Sequence, residues 1–194
     1  SDVYKRQIQG EKIDTFLNGM VDASKTPIFQ ECIAVLKEFF PGESDYIDTI
    51  TPHVSGSVTV STLHGCPPDE IERIASYLLE KKHLHTFVKC NPTILGYETA
   101  RSILDSMGYD YIAFDDHHFK EDLQYSDAVP MFHRLQALAD REGLEFGLKL
   151  SNTFPVDVKA GELPSEEMYM AGKSLFPLTT TMAAMISLFE EDGK

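Results

Sequence analysis

The stretch VTVSTLHGCPPDEIERIASYLL, residues 58–79, decides the reading of the fold. Val58–Leu63 alternates and is rich in β-branched residues, which predicts a strand. Pro67 and Pro68 suit a first helical turn, where a missing N–H costs nothing. Asp69 and Glu70 favour the positive end of the helix dipole. Ile71, Ile74, Ala75, Leu78 and Leu79 fall on one helical face. A strand thus runs straight into a helix, with His64, Gly65 and Cys66 at the junction.

The same order recurs along the chain. Residues 11–40 carry helical spacing at Ile13, Phe16, Leu17, Met20 and Val21, and again at Ile33, Leu36 and Phe40 beyond Pro27. Pro41-Gly42 closes that region, and residues 43–53 read as loop. HTFVKCN, residues 85–91, predicts a second strand before Pro92. Tyr97, Ala100, Ile103, Leu104 and Met107 mark a helix with Gly108 at its C′ position. YDYIAF, residues 109–114, predicts a third strand. Val129, Phe132, Leu135 and Leu138 mark a helix ending near Gly143. LEFGLKL, residues 144–150, predicts a fourth strand. A long loop follows, and then Leu175, Leu178, Met182, Met185 and Phe189 mark a last helix. Alternating strands and helices imply a parallel α/β fold, either a doubly wound sheet or a barrel. No G-x-G-x-x-G follows a strand, so the dinucleotide-binding form has no support. A full barrel takes roughly 250 residues, so the units here amount to part of one.

Composition narrows the function. The chain has 194 residues, 42% hydrophobic and 25% charged, which is ordinary for a globular protein. The formal net charge is −14, from 17 basic and 31 acidic residues. That disfavours a nucleic-acid partner, because phosphate contacts need clustered Lys and Arg. No apolar run is long enough for a membrane span, and the first residues do not form a signal peptide. Cys32, Cys66 and Cys90 are an odd count without zinc spacing and read as reduced thiols of a cytoplasmic protein. The opening SDVYKRQ resembles a translated sequencing adapter, so residues 1–7 are expected to be an artefact. FEEDGK stops straight after a helical pattern, so the chain is expected to be an internal piece of something longer.

In parallel α/β folds ligands lie at the carboxyl ends of the strands. Ser61, Thr62, His64, Gly65 and Cys66 follow the first strand. Lys89, Cys90, Asn91 and Thr93 follow the second. Asp115, Asp116, His117 and His118 follow the third. Lys149, Ser151, Asn152 and Thr153 follow the fourth. Lys, Asn, Ser, Thr and a thiol suit a planar, polar, partly anionic ligand better than a bare metal. Cys66, at a helix N-terminus, could donate a proton or, ionised, act as a nucleophile. The plainer alternative is a small buried hydrophobe. His64 either orients that thiol or caps the turn. Lys89, ending an apolar strand, needs an anion or must reach solvent, and Lys149 faces the same choice. The Asp-Asp-His-His run holds donors suited to a metal, although neighbours in an extended loop point apart.

STLHGCPPDEIERIASYLLEKKHLHTFVKCNPTILGYE, LKLSNTF and LPSEEMYMAGKSLFPLTT closely resemble the family labelled as the iron–sulfur subunit of selenate reductase. Its members are multidomain relatives of dihydropyrimidine dehydrogenase, and their front part is similar to dihydroorotate dehydrogenase. The resemblance covers nearly all of residues 8–194. It implies the central part of one FMN-binding, dihydroorotate dehydrogenase-like domain: a partial TIM (β/α)8 barrel, incomplete at both ends. It places Lys89 against the flavin with Asn91 beside it. Ser151, Asn152 and Thr153 resemble the motif that meets the substrate ring. MAGKSLFP resembles the segment leading to the flavin phosphate, with Ala171 where the pattern has serine and Gly172 and Pro177 kept. Cys66 takes the place of the proton-supplying residue, with His64 beside it. An alternative alignment gives Lys149 the flavin-lysine role; the order of the later motifs favours Lys89. The resemblance also implies 4Fe-4S clusters and FAD outside this chain, as partner domains of the same parent.

The leading expectation is therefore part of a flavin-dependent oxidoreductase subunit, exchanging a hydride between FMN and a polar, heterocyclic small-molecule substrate. Two rivals come from other classes. One is a non-catalytic barrel that docks redox domains. The other is a metal-dependent hydrolase or lyase built on Asp115, Asp116, His117 and His118.

Overall fold

A computed structural model describes residues 8–61, 65–161 and 163–192, with side chains up to residue 187. The chain divides into two compact units, Ser1–Val58 and Thr59–Lys194.

The first unit is helical. Helices α1 (Glu11–Val21) and α2 (Pro27–Phe39) are separated by a turn at residues 22–26. Thr26 caps α2, its hydroxyl accepting from the Phe29 N–H, and Pro27 takes the first helical position. Residues 43–53 are not wholly loop, because Ser44–Ile47 forms a short helix, α3. Met20 O accepts from the N–H groups of Val54 and Ser55, which ties the end of the unit back to α1.

The second unit carries the sheet, in the order β1-β2-β3. Strand β1 is Ser57–Val60, so it matches the front of the expected Val58–Leu63; Thr62, Leu63 and His64 lie outside the described residues. Helix α4 (Pro68–Glu80) starts at the two prolines and buries Ile71, Ile74, Ala75, Leu78 and Leu79, as the spacing predicts. Strands β2 (His85–Cys90) and β3 (Phe146–Leu150) pair in parallel, with Val88 beside Leu148 and Lys89 beside Lys149. Between them run α5 (Tyr97–Ser106), α6 (His117–Glu121) and α7 (Tyr125–Glu142). Helices α4 and α7 pack on each other and on the sheet. Thr86, Val88 and Cys90 are buried on that side, where Phe132 of α7 meets Phe146. Phe87, Lys89, Gly147 and Lys149 share the opposite face. There the Phe87 ring lies so close to Gly147 that a Cβ would sit 2.6 Å from it. Leu79 is fully buried in α4. Leu79→Ala is expected to cost about 2–5 kcal/mol, read from chemical denaturation.

Residues 109–114 are not a strand. Arg101 on α5 donates from its guanidinium to the carbonyl oxygens of Tyr109 (3.0 Å) and Ile112 (2.6 Å). The Ile112 N–H closes a turn on Tyr109 O. Two of the carbonyls that a ladder could use are thereby taken, and β2 pairs with β3 directly. Ala113 O accepts from the Asp157 N–H of β4 at 2.8 Å.

The expected long loop after residue 150 contains an antiparallel hairpin, β4 (Phe154–Asp157) with β5 (Glu167–Met170). Phe154 is fully buried and meets Phe114 and Phe119 edge to face. Helix α8 (Phe176–Asp192) closes the order, with Leu178 and Met182 fully buried. A complete TIM barrel has eight parallel strands; the described residues form this three-stranded sheet and the separate hairpin. No helix among the described residues is long and apolar enough to cross a membrane.

Candidate active site

The end of β2 builds a small polar cavity of about 20 Å³. Its lining includes Cys66, Lys89, Cys90, Asn91, Thr93 and Asp122. Cys66 arrives through a turn in which Gly65 has φ +76°. A Cβ there would meet nothing within 4 Å, so the backbone conformation alone calls for glycine. Cys66 is 7% exposed and precedes Pro67, the N-cap of α4. Lys89 and Asn91 come from the last turn of chain in β2 and the residue after it. Thus Cys66, Lys89 and Asn91, expected to work together, line one cavity.

Lys89 and Lys149 are neighbours in space. They are Cα partners on neighbouring parallel strands, so their side chains leave the same face. Lys89 is half-buried and Lys149 exposed. Neither has a hydrogen-bond or ionic partner among the described residues. Two lysines on one face, one of them half-buried, favour an anion there.

Asp122 is the residue that sequence reading misses. It is 6% exposed and follows α6. Its Oδ1 accepts from the Gly65 N–H (3.1 Å), and its Oδ2 accepts from Asn91 Nδ2 (3.2 Å) and Thr93 Oγ1 (2.7 Å). Charge-assisted bonds of this kind offset the burial of a carboxylate. Asn91 Oδ1 in turn accepts from Asn152 Nδ2 at 2.9 Å, and the Asn152 N–H donates to Cys90 O at 3.1 Å. Nothing local in KEDLQ announces this role.

A second, larger cavity of about 640 Å³ opens past β3. Leu150, Ser151, Gly172, Lys173, Leu175, Phe176 and Thr179 line it. Its size falls in the range of small-molecule sites. Ser151 and Gly172, far apart in sequence, meet here. The Ser151 and Thr179 hydroxyls share a hydrogen bond of 2.8 Å. Lys149, Asn152 and Thr153 line neither cavity. His64 lies outside the described residues.

The Asp-Asp-His-His run disperses. Asp115 Oδ1 accepts from the His117 N–H, Lys120 pairs with Asp116, and His118 Nε2 meets Glu167 Oε1 at 3.0 Å. Among the described residues no three His, Cys, Asp or Glu side chains are grouped to hold a metal.

The cysteines separate by burial. Cys90 is 1% exposed, and burial pushes its thiol up to about 12. The folded state therefore favours the protonated thiol. Its stabilising share is complete below the ordinary value near 9 and is lost only as pH rises towards about 12. Cys32 is exposed. Iodoacetamide at pH 8 is expected to label Cys32 first and Cys90 last, read peptide by peptide by mass spectrometry. Equal rates would contradict the burial.

Comparison with known proteins bears on this arrangement. Residues 4–192 match the family "Oxidoreductase YgfK, N-terminal TIM-barrel domain". The chain is 40% identical over 195 aligned residues to "Putative oxidoreductase YgfK" of Escherichia coli K12, and equally so to that of Escherichia coli O157:H7. Each alignment takes in 93% of this chain and 19% of the relative, so the chain spans about a fifth of their length. No solved structure matches. The chain belongs to the family of the N-terminal TIM-barrel domain of the oxidoreductase YgfK.

Proposed function

We propose that this chain is the central part, residues 8–194, of a dihydroorotate dehydrogenase-like FMN barrel in a larger oxidoreductase. One observation carries the reading. Cys66, Lys89 and Asn91 converge on one cavity at the strand ends, with Lys89 and Lys149 side by side and lacking an anion among the described residues. The residues present fit a flavin. The lysine pair would balance the negative charge of the reduced flavin ring. The larger cavity offers apolar walls at Leu150, Leu175 and Phe176, with Ser151, Thr179 and Lys173 as polar groups. FMN, when bound, supplies hydride exchange with a planar, polar heterocycle. Lys89 and Lys149 hold positive charge beside the ring. Asn91 stands with them at the flavin, and Asn152, with Ser151 and Thr153, orients the substrate ring. Cys66 holds or delivers the proton that accompanies the hydride. Iron–sulfur and FAD domains of the same parent would exchange electrons with this site.

Flavin released from denatured full-length protein tests this. Chromatography is expected to find one FMN per chain, distinct from any FAD. FAD alone would favour the docking-scaffold reading.

A further inference from the structure

We propose that Asp122 is a positioning residue that sets the direction of a two-asparagine relay. The relay leaves Asn152 Oδ1 as its terminal acceptor. This rests on the reading of the strand ends as a ligand site. An ionised carboxylate only accepts. Asn91 must therefore turn its Nδ2 towards Asp122, as it does at 3.2 Å. That fixes Asn91 Oδ1 on the far side, where it can only accept, and Asn152 Nδ2 donates to it at 2.9 Å. Asn152 Oδ1 is left as the terminal acceptor of the chain, with no hydrogen bond among the described residues. The part of a ligand that meets Asn152 Oδ1 is then an N–H or O–H donor. Asp122 acts here through Asn91. Through Gly65, Asn91 and Thr93 it also ties the turn before α4 to the segment after β2.

The relay can be reversed on paper. In Asp122→Asn the amide keeps Oδ1 for the Gly65 N–H and turns Nδ2 towards Asn91 and Thr93. Asn91 and Asn152 then both flip, and Asn152 shows an N–H outward. In Asn152→Asp two carboxylates compete for one Asn91 amide group. D122N/N152D restores a consistent chain running the other way.

The test uses the full-length protein and two readouts. Iodoacetamide labelling of Cys90, by peptide mass spectrometry, reads local opening of the cavity without any ligand. Added FMN reads the ligand side. N152D is expected to speed Cys90 labelling about tenfold, the loss of one buried hydrogen bond. D122N alone should change it less than about threefold, and D122N/N152D should return it to within about threefold of wild type. With N91L in the background, which cuts the relay, the rescue should vanish. If N152D speeds labelling equally with and without D122N, the proposal fails. It fails too if the rescue persists beside N91L, since direct charge repulsion would then explain it. Absence of FMN binding in wild type would sink the flavin reading and leave the labelling result to judge the relay.

Discussion

Cys66→Ser is expected to slow substrate turnover by about 10²–10⁴-fold, the usual range for removing a positioned acid or base. Flavin content should stay at the wild-type level. The assay is reoxidation of dithionite-reduced full-length protein by planar unsaturated heterocycles, followed by flavin absorbance. The expectation rests on placement. Cys66 is 7% exposed, enters the cavity from the Gly65 turn, and shares it with Lys89 and Asn91. A hydroxyl is a much weaker acid than a thiol, so serine keeps the shape and loses the proton transfer. Rates within twofold of wild type would leave Cys66 as a small buried hydrophobe.

Lys89→Ala with Lys149→Ala should weaken FMN binding about 100-fold. Hydrogen bonds to charged groups contribute about 1.5–3 kcal/mol each, and about 1.4 kcal/mol is tenfold in affinity. Titration of flavin-stripped protein, followed by quenching of FMN fluorescence, gives the affinity. The single variants should rank by burial, with half-buried Lys89 costing more than exposed Lys149. An unchanged affinity in the double variant would remove both lysines from the flavin site.

The parts of the fold that sequence discloses are those fixed by local signals. Two prolines, two acids and an apolar stripe define Pro68–Glu80 without help from elsewhere. HTFVKC declares β2 as a short apolar run before Pro92, with Thr86, Val88 and Cys90 buried. Local signals misled where distant groups intervened. YDYIAF alternates like a strand, yet Arg101 takes its carbonyls from a neighbouring helix. The β4–β5 hairpin hides behind short strands, one holding Pro155, a residue that argues against a strand. The site divides the same way. Cys66, Lys89 and Asn91 stand at recognisable strand ends. Lys89 and Lys149 look like competitors in sequence because only the strand register shows them side by side. Asp122 gives no sign at all, since its partners lie 29, 31 and 57 positions away.

The central claim is that the ends of β2 and β3 hold a flavin. A density map of the full-length protein, purified with FMN present, tests it most directly. The account predicts a flavin ring against Lys89 and Lys149, with Asn91 at its edge and Cys66 and Asn152 within reach of the substrate position. A map that places every flavin in another domain, with Lys89 paired to a carboxylate of the protein, would contradict it.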